Sequence, residues 1–321
     1  MTNQKKSGET PLFPDLEAPP RPPRRNRKAL NIPAGLDLDK YERDEEDQLL
    51  REVVGSWARK KHAVLEQYVG YTRSVRQKWC SSGPPGTKYP PAGATYIDLF
   101  SGPGRVRIEN TAEILPGSPL VAWQNRGFGQ FTALYVADAH KDVANDCCQR
   151  LLAVEAPVES FLGPADETVE QVLAKVNKHA YHFAFLDPFN LGDLSFEVIQ
   201  KLARRLKHVD ILAHVSVLDL NRNLRRYIDE HGSSLDRFAP DWRKAVDVNL
   251  PDEIVREAIM QHWRGLLKTI DMQVAGALPL ITGDGGQPLY WLAFASRHPL
   301  GHKFWAAMQP PPERRTEGLF G

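Results

Sequence analysis

Acidic residues stand at the ends of four successive strand-like segments in the middle of the chain. Asp98 ends the run TYID, Asp138 ends ALYVAD, Asp166 follows VESFLG, and Asp187 ends YHFAFLD. In open α/β sheets, ligands bind outside the carboxyl ends of the strands. One such acid is usually a helix N-cap, and Asp166, just before ETVEQVL, has this alternative role. Four acids at one edge exceed what a core requires and indicate a ligand site.

Two glycines follow the first of these strands at close spacing. Gly102 and Gly104 suit a turn in which the backbone approaches a ligand closely. A dinucleotide fingerprint would place a third glycine at position 107, where this chain has Arg107. The next helix is predicted to begin only at Ser118, with Pro119 in its first turn. The glycine turn is therefore separated from a helix N-terminus and is poorly suited to a pyrophosphate.

These features favour a cofactor without phosphates, and S-adenosylmethionine (SAM) is such a cofactor. SAM needs carboxylates for its ammonium group and its ribose hydroxyls, and we expect Asp138 at the ribose. Asp98 is expected near the methionine part, directly or through water. Its alternative role is to accept backbone N–H bonds from the glycine turn, because an ionised acid within an apolar strand needs partners. The predicted cofactor-binding residues are Asp98, Phe100, Gly102, Gly104, Asp138 and Asp166.

The segment FLDPFN at the fourth strand is similar to the [DN]PP[YF] signature of amino-methyltransferases. There, a carboxylate or amide oxygen and the next peptide carbonyl accept hydrogen bonds from a substrate amino group, and an aromatic ring stacks on an extruded base. In this chain Phe189 replaces the second proline and Asn190 replaces the aromatic residue. We predict Asp187, Pro188 and Phe189 as the catalytic residues. The alternative is a proline-terminated strand with a buried Phe189.

The elements that position these residues alternate between strands and helices from residue 90 onward. Strand-like runs separated by helices of ten to fifteen residues indicate βαβ units and a mainly parallel sheet. The last two runs, VAGALPLIT and PLYWLAFAS, flank the turn-rich GDGGQ and predict an antiparallel hairpin. This is the order of elements in class I SAM methyltransferases. The predicted fold is a Rossmann-like α/β domain over 90–310, with a mainly parallel seven-stranded sheet and an antiparallel C-terminal hairpin.

Two further segments precede this domain. Residues 1–43 are rich in proline and arginine and poor in apolar residues, so they predict a disordered tail. Its RPPRRNRK stretch either contacts phosphates or has no specific role. Residues 44–80 carry apolar side chains at helical spacing and predict an N-terminal helical segment.

Composition sets the remaining limits. Lys plus Arg (41) nearly equals Asp plus Glu (40), so the overall charge argues neither for nor against a polyanionic partner. No run reaches the roughly 18 apolar residues of a membrane span, and the first residues lack the apolar stretch of a signal peptide. Cys80, Cys147 and Cys148 form neither a disulfide framework nor a zinc pattern. We therefore expect a cytoplasmic protein with no metal site and no membrane contact.

Six blocks in order are similar to the three-Cys-motif partner proteins (TcmP), a bacterial and phage family. The blocks are KHAVLEQYV, YIDLFSGPGR, GSPLVAW, FLDPFNLGDLSFEVIQKLA, DILAHVSVLDLNRN and FASRHPLGHKFW, within about Trp57 to Met308. The resemblance implies a SAM-dependent methyltransferase fold and a partner encoded nearby. That partner's three-cysteine motif resembles radical-SAM iron–sulfur chemistry, which would suit a two-protein system for nucleic-acid modification.

Three hypotheses follow from the sequence. The first is a SAM-dependent methyltransferase that acts on an amino group of a nucleic-acid base, together with the three-Cys-motif partner. The second is a non-catalytic partner protein that keeps the fold to bind protein or RNA, and the altered DPFN segment motivates it. The third is a dinucleotide oxidoreductase, which Arg107 and the detached helix disfavour.

Overall fold

The computed structural model describes residues 32–33, 35–37, 39–82, 90–276 and 278–308. Most of the predicted tail, residues 1–43, lies outside the described residues, as does the RPPRRNRK stretch. The last two residues of the predicted α/β domain, 309–310, also lie outside them. No helix within the described ranges is long and apolar enough to cross a membrane.

The described elements are strands and helices that mostly alternate after residue 90. The strands are β1 (Tyr41–Arg43), β2 (Leu50–Val54), β3 (Ala94–Asp98), β4 (Arg105–Ile108), β5 (Ile114–Pro116), β6 (Ala133–Asp138), β7 (Val158–Leu162), β8 (Tyr181–Leu186), β9 (Val209–Ser216), β10 (Gln273–Val274), β11 (Leu280–Thr282) and β12 (Pro288–Ser296). The α-helices are α1 (Ala58–Tyr71), α2 (Arg73–Ser82), α3 (Ser118–Gln124), α4 (Lys141–Ala153), α5 (Ala165–Lys175), α6 (Phe196–Arg205), α7 (Val217–Asp229), α8 (Ser234–Phe238), α9 (Trp242–Ala245), α10 (Asp252–Thr269) and α11 (Pro299–Met308).

The main sheet has the strand order β7-β6-β3-β8-β9-β12, and both β10 and β11 pair with β12. The five strands β3, β6, β7, β8 and β9 are parallel, and β12 is antiparallel to β9. Numbered along the chain, the parallel strands follow the order 3-2-1-4-5, which is a doubly wound order with a switch point between β3 and β8. This arrangement confirms the predicted Rossmann-like, class I methyltransferase-like α/β fold.

The C-terminal hairpin is present, but its first strand is divided. β11 pairs antiparallel with β12, as predicted, while β10 pairs with a separate part of β12. The run VAGALPLIT was predicted as one strand, but Pro279 lacks the backbone donor that a continuous ladder needs. The main sheet therefore has eight described strands instead of the seven predicted.

A second, four-stranded sheet with the order β1-β2-β4-β5 was not predicted. Its strands β4 and β5 form an antiparallel pair within residues 105–117, between the glycine turn and the helix predicted from Ser118. β2 pairs in parallel with β4, so the prediction of helix over 44–80 is wrong before Ala58. The β-branched Val53 and Val54 fit this pairing, in which tertiary contacts override the helical spacing of the apolar residues.

Both faces of the main sheet are covered by helices. Along β3, Ile97 packs into one apolar cluster and Tyr96 into the other, because successive side chains of a strand point to opposite faces.

A buried carboxylate, Asp210 on β9, joins α1 to the main sheet. Its Oδ2 accepts hydrogen bonds from the hydroxyls of Tyr68 and Tyr181, each at 2.7 Å, and its Oδ1 accepts one from Ser296 at 2.5 Å. These three bonds connect α1, β8 and β12 to β9 in the core.

Candidate functional site

A cleft of about 880 Å³ lies at the carboxyl ends of β3, β6 and β8. Strand β2 of the four-stranded sheet also contributes to its wall. The structure brings together all of the residues predicted for cofactor binding and catalysis except Asp98. Those that line the cleft are Phe100, Gly102, Gly104, Asp138, Asp166, Asp187, Pro188 and Phe189.

The glycine turn follows β3 directly, and its two glycines have different constraints. Gly102 and Gly104 have φ angles of +58° and +86°, in the left-handed region that favours glycine. A Cβ atom on Gly104 would lie 3.4 Å from Cα of Cys147, so this glycine is packed against α4. A Cβ atom on Gly102 would lie 3.6 Å from Oε2 of Glu52, within the cleft. Gly102 therefore leaves space for a ligand close to the backbone.

Asp98 lies behind this turn and is fully buried. Its Oδ2 accepts hydrogen bonds from Tyr96 Oη at 2.9 Å and Ser118 Oγ at 2.6 Å, and its Oδ1 accepts one from Phe100 N at 3.1 Å. Burial raises the pKa of Asp98 to about 7, although these hydrogen bonds oppose the shift. The structure therefore does not place Asp98 in direct contact with a ligand. The carboxylate supports the backbone of the turn, as the alternative interpretation expected.

Asp138 ends β6 and lines the cleft beside the glycine turn. Its Oδ1 accepts a hydrogen bond from the backbone N–H of His140 at 2.9 Å. Burial raises the pKa of Asp138, and hydrogen bonds from the backbone N–H groups of His140 and Gly102 oppose this shift. Asp138 is thus attached to the turn and faces the space where a ribose is expected.

Asp166 lies in the first turn of α5, and Pro164 is the N-cap residue of that helix. The N-cap alternative for Asp166 is therefore wrong. Its carboxylate forms an ion pair with Arg237, which also lines the cleft. Asp166 remains a candidate for ligand binding at the rim, where its side chain is 33% exposed.

Asp187 follows β8 and is held by two basic residues. Its Oδ1 lies 2.8 Å from Nδ1 of His214, and its Oδ2 forms an ion pair with Lys61 of α1. Burial opposes ionisation, but the Lys61 ammonium and the His214 hydrogen bond together hold the pKa of Asp187 well below its usual range. Asp187 is therefore ionised at neutral pH, and its two contacts fix the orientation of the carboxylate.

The second ring nitrogen of His214 is available for chemistry. Nε2 is buried and has no hydrogen-bond partner among the described residues. The ring centroid lies 3.9 Å from that of Tyr290 on β12. Burial lowers the pKa of His214, although Asp187 opposes the shift, so the ring is neutral. The contact with Asp187 assigns the proton to Nδ1, which leaves the lone pair on Nε2.

The DPFN segment differs from the amino-methyltransferase signature at Phe189 and Asn190, and the structure shows the contacts of both residues. Asn190 Oδ1 accepts hydrogen bonds from the backbone N–H groups of Gly192 at 2.8 Å and Asp193 at 3.1 Å, so Asn190 caps a 3₁₀ turn. Phe189 is 59% exposed, with Nζ of Lys40 3.2 Å from its ring centroid. The alternative of a buried Phe189 is therefore wrong, and an aromatic ring stands at the mouth of the cleft.

Several cleft residues were not singled out from the sequence. They are Glu52, Lys61, His62, His214, Arg237 and Tyr290. A histidine near the carboxyl end of the apolar run VDILAHVSV was a usable signal for His214. Glu52 gave no such signal, because its position depends on the pairing of β2 with β4. Within the described ranges, the structure contains no group of three or more His, Cys, Asp or Glu residues that could hold a metal ion.

No family model matches this sequence, and no curated protein matches it. Solved structures with some similarity include cofactor-bound Rv0187 from MTB, at 12% identity and a TM-score of 0.43, which covers 76% of this chain and 82% of that chain. M. jannaschii TYW2 in complex with AdoMet has 9% identity and a TM-score of 0.38, covering 81% and 87%. The O-methyltransferase TomG from Streptomyces achromogenes in complex with SAM has 12% identity and a TM-score of 0.41, covering 72% and 78%. The strand order of the main sheet defines the fold of this chain.

Proposed function

We propose that this protein is a SAM-dependent methyltransferase that binds SAM at the carboxyl ends of β3 and β6. The observation that carries the proposal is the position of the Gly102 turn beside the Asp138 carboxylate, next to the switch point of the sheet. Helix α3 begins only at Ser118, but its N-cap residue Gly117 lies against the turn, where Gly117 N donates a hydrogen bond to Gly104 O at 2.7 Å. The carboxylates of Asp138 and Asp187 in the same cleft favour a ligand with hydroxyl and ammonium groups over one with phosphates, because they repel an anion.

The residues of the turn fit such a cofactor in distinct ways. Asp138 accepts hydrogen bonds from the ribose hydroxyls, as an acid does at the same strand end in dinucleotide folds. Gly102 lets the ligand approach the backbone, Gly104 lets the turn pack against α4, and Asp98 fixes the turn through Phe100 N. When bound, SAM supplies an electrophilic methyl group.

The acceptor proposed is an amino group of a nucleic-acid base, held at Asp187 and the Pro188 peptide. Each oxygen of Asp187 has one basic partner among the described residues, so it can accept a further hydrogen bond from a substrate N–H group. The exposed ring of Phe189 offers a stacking surface for an extruded base. In the signature the aromatic residue stands one position later, where this chain has Asn190.

His214 completes the acceptor side of the proposal. A nitrogen that gains a methyl group must lose a proton, and Nε2 of His214 carries a free lone pair beside Asp187. The Asp187 carboxylate stabilises the imidazolium that results. In this account Lys61 is a positioning residue, because its ion pair holds the carboxylate in place.

The partner part of the proposal rests on the six sequence blocks similar to TcmP. We propose that a three-Cys-motif protein encoded nearby acts with this chain on nucleic acid.

A second candidate function is that of a non-catalytic partner protein that binds protein or RNA. The observation that favours it is the use of Asn190 as a cap for a 3₁₀ turn, where the signature has an aromatic ring.

Methyl transfer distinguishes the two candidates. The wild-type protein, with its neighbour-encoded partner, is incubated with methyl-labelled SAM and total cellular nucleic acid. Asp187→Ala is compared with Asp229→Ala, a change at an exposed position on α7. We expect label in nucleic acid for the wild type and Asp229→Ala, and a loss of at least about 100-fold for Asp187→Ala, because alanine offers no acceptor for the substrate amino group. Transfer unaffected by Asp187→Ala would contradict the role of this residue. Absence of transfer by all three proteins, with SAM bound, would favour the non-catalytic function.

A further inference from the structure

Glu52 is an acid whose surroundings differ from those of neighbouring acids. Glu42, Asp44 and Asp47 each form ion pairs with arginine side chains. Glu52 lies partly buried on β2, and within the part of the chain that the structure describes its carboxylate has neither a hydrogen bond nor an ion pair. A partly buried carboxylate without a direct partner is costly unless a ligand supplies one.

The position of Glu52 indicates which part of a ligand it would meet. Its Oε2 stands in front of the glycine turn, 3.6 Å from where a Cβ atom of Gly102 would be. Asp138 and Asp187 are both near enough to disfavour its ionisation. Glu52 therefore lies near both the acid expected at the ribose and the acid expected at the acceptor. In SAM, the sulfonium and the methionine part lie next to the ribose.

We propose that Glu52 binds the α-ammonium group of the methionine part of SAM, an inference that rests on the proposed function. An ammonium group has three donors and no acceptor, and a carboxylate over a glycine turn is a matching acceptor. The bound ammonium supplies the partner that Glu52 lacks within the protein.

The four-stranded sheet acquires a role in this account. β4 begins at Arg105, directly after Gly104, and Val106 pairs with Glu52 of β2. The turn that contacts the cofactor and the acid that binds its ammonium are therefore held in one register. This sheet is the part of the molecule that recognises the amino-acid end of the ligand.

The proposal includes a dependence of SAM affinity on pH. Burial raises the pKa of Glu52 to about 7, with Asp187 and Asp138 acting in the same direction and Lys61 and Lys40 opposing them. Tyr41 also faces Glu52 from β1. Because the ionised carboxylate binds the ammonium, affinity increases as the pH rises through about 7. Binding of SAM at neutral pH releases a proton from Glu52.

Calorimetry with three ligands tests the inference on the full chain. The ligands are SAM, S-adenosylhomocysteine (SAH), which keeps the ammonium, and 5′-methylthioadenosine, which lacks the whole amino-acid part. Glu52→Gln is compared with Glu257→Gln, an exposed residue of α10 outside the cleft lining. We expect Glu52→Gln to weaken SAM and SAH about tenfold or more and to leave 5′-methylthioadenosine within about twofold, because a charge-assisted hydrogen bond is lost. Glu257→Gln should bind all three ligands as the wild type does.

Each other result has a defined meaning. Unchanged affinity of Glu52→Gln for SAM and SAH would overturn the inference and leave the proposed function intact. Equal weakening of all three ligands would also overturn it, because the effect would not depend on the ammonium. Weakening for SAM alone would assign Glu52 to the sulfonium instead. If the folded wild type binds none of the ligands, the proposed function itself fails. Circular dichroism of each variant verifies the fold.

Discussion

Nδ1 of His214 lies 2.8 Å from Oδ1 of Asp187, and Lys61 is ion-paired with the other oxygen of the same carboxylate. The contact follows from the register of two parallel strands. Leu186 of β8 pairs with Ala213 of β9, so the next residues, Asp187 and His214, stand side by side. A single acid is thereby oriented by two strands and one helix at the acceptor side of the cleft.

The first prediction concerns the protonation state of the His214 ring. Burial lowers its pKa below the ordinary value of about 6.5, so the ring should be neutral at pH 7 with the proton on Nδ1. Because the folded pKa is lowered, His214 stabilises the fold above pH 6.5 and this contribution is lost as the pH falls through the folded pKa. Nitrogen NMR of the labelled ring checks both the tautomer and the titration. A proton on Nε2, or a midpoint above about 7, would refute the assignment.

The pKa of Asp98 is shifted in the opposite direction from that of His214. Burial raises its pKa to about 7, so its contribution to stability is present below the unfolded pKa of the acid and is lost as the pH rises through about 7. Asp98→Asn should therefore flatten the pH dependence of the free energy of unfolding between about pH 4, near the unfolded pKa, and about pH 7. Urea unfolding at several pH values measures this. Glu52, whose pKa is also raised to about 7, contributes in the same range, so Glu52→Gln is the companion variant. A slope that both variants preserve would contradict the prediction.

The two glycines of the turn should respond differently to alanine. Gly104→Ala places a methyl group 3.4 Å from Cα of Cys147 at a φ of +86°, and we expect a loss of about 1–3 kcal/mol in the free energy of unfolding. Gly102→Ala should cost about 1 kcal/mol from its backbone angle, but its methyl group enters the cleft and should weaken SAM binding at least about tenfold. Urea unfolding and calorimetry separate the two effects. Wild-type SAM affinity in Gly102→Ala would remove the turn from the ligand site.

The hydrogen bonds of Asp210 should be important for stability. Asp210→Ala leaves the hydroxyls of Tyr68, Tyr181 and Ser296 without their acceptor in the core, and we expect a loss of about 3 kcal/mol or more. Tyr68→Phe removes one of these bonds and should cost about 1 kcal/mol. Asp229→Ala, at an exposed position, provides the control for urea unfolding. A loss no greater for Asp210→Ala than for Tyr68→Phe would show that the three bonds do not act together.

The main sheet could be predicted because its signals are local and repeated. Apolar strands such as YHFAFL are buried throughout and separated by amphipathic helices, which fixes a parallel α/β order from the sequence alone. The acids at the strand ends could be predicted for the same reason, since parallel strands end at one edge. Asp138 and Asp187 accordingly lie in one cleft although they are 49 residues apart in the numbering.

The missed features depend on contacts between distant segments. The strands of the second sheet have three to five residues, too short for periodicity to distinguish them from loop or helix. Lys61 reaches Asp187 across 126 positions, a pairing that no local pattern encodes. Asp98 shows the reverse case: its place in the sequence predicted a ligand contact, but its depth behind the turn could be read only from the packing of Tyr96 and Ser118.

Binding of SAM beside Asp138 is best measured by calorimetric titration of the folded 321-residue chain, with Asp138→Ala and Asp229→Ala as the paired variants. We expect a micromolar dissociation constant for the wild type and Asp229→Ala. Affinity should be at least about tenfold weaker for Asp138→Ala, because the acceptor for the ribose hydroxyls is lost while the fold is kept. A folded wild-type protein that binds neither SAM nor SAH, or an Asp138→Ala variant with unchanged affinity, would contradict SAM binding at this site.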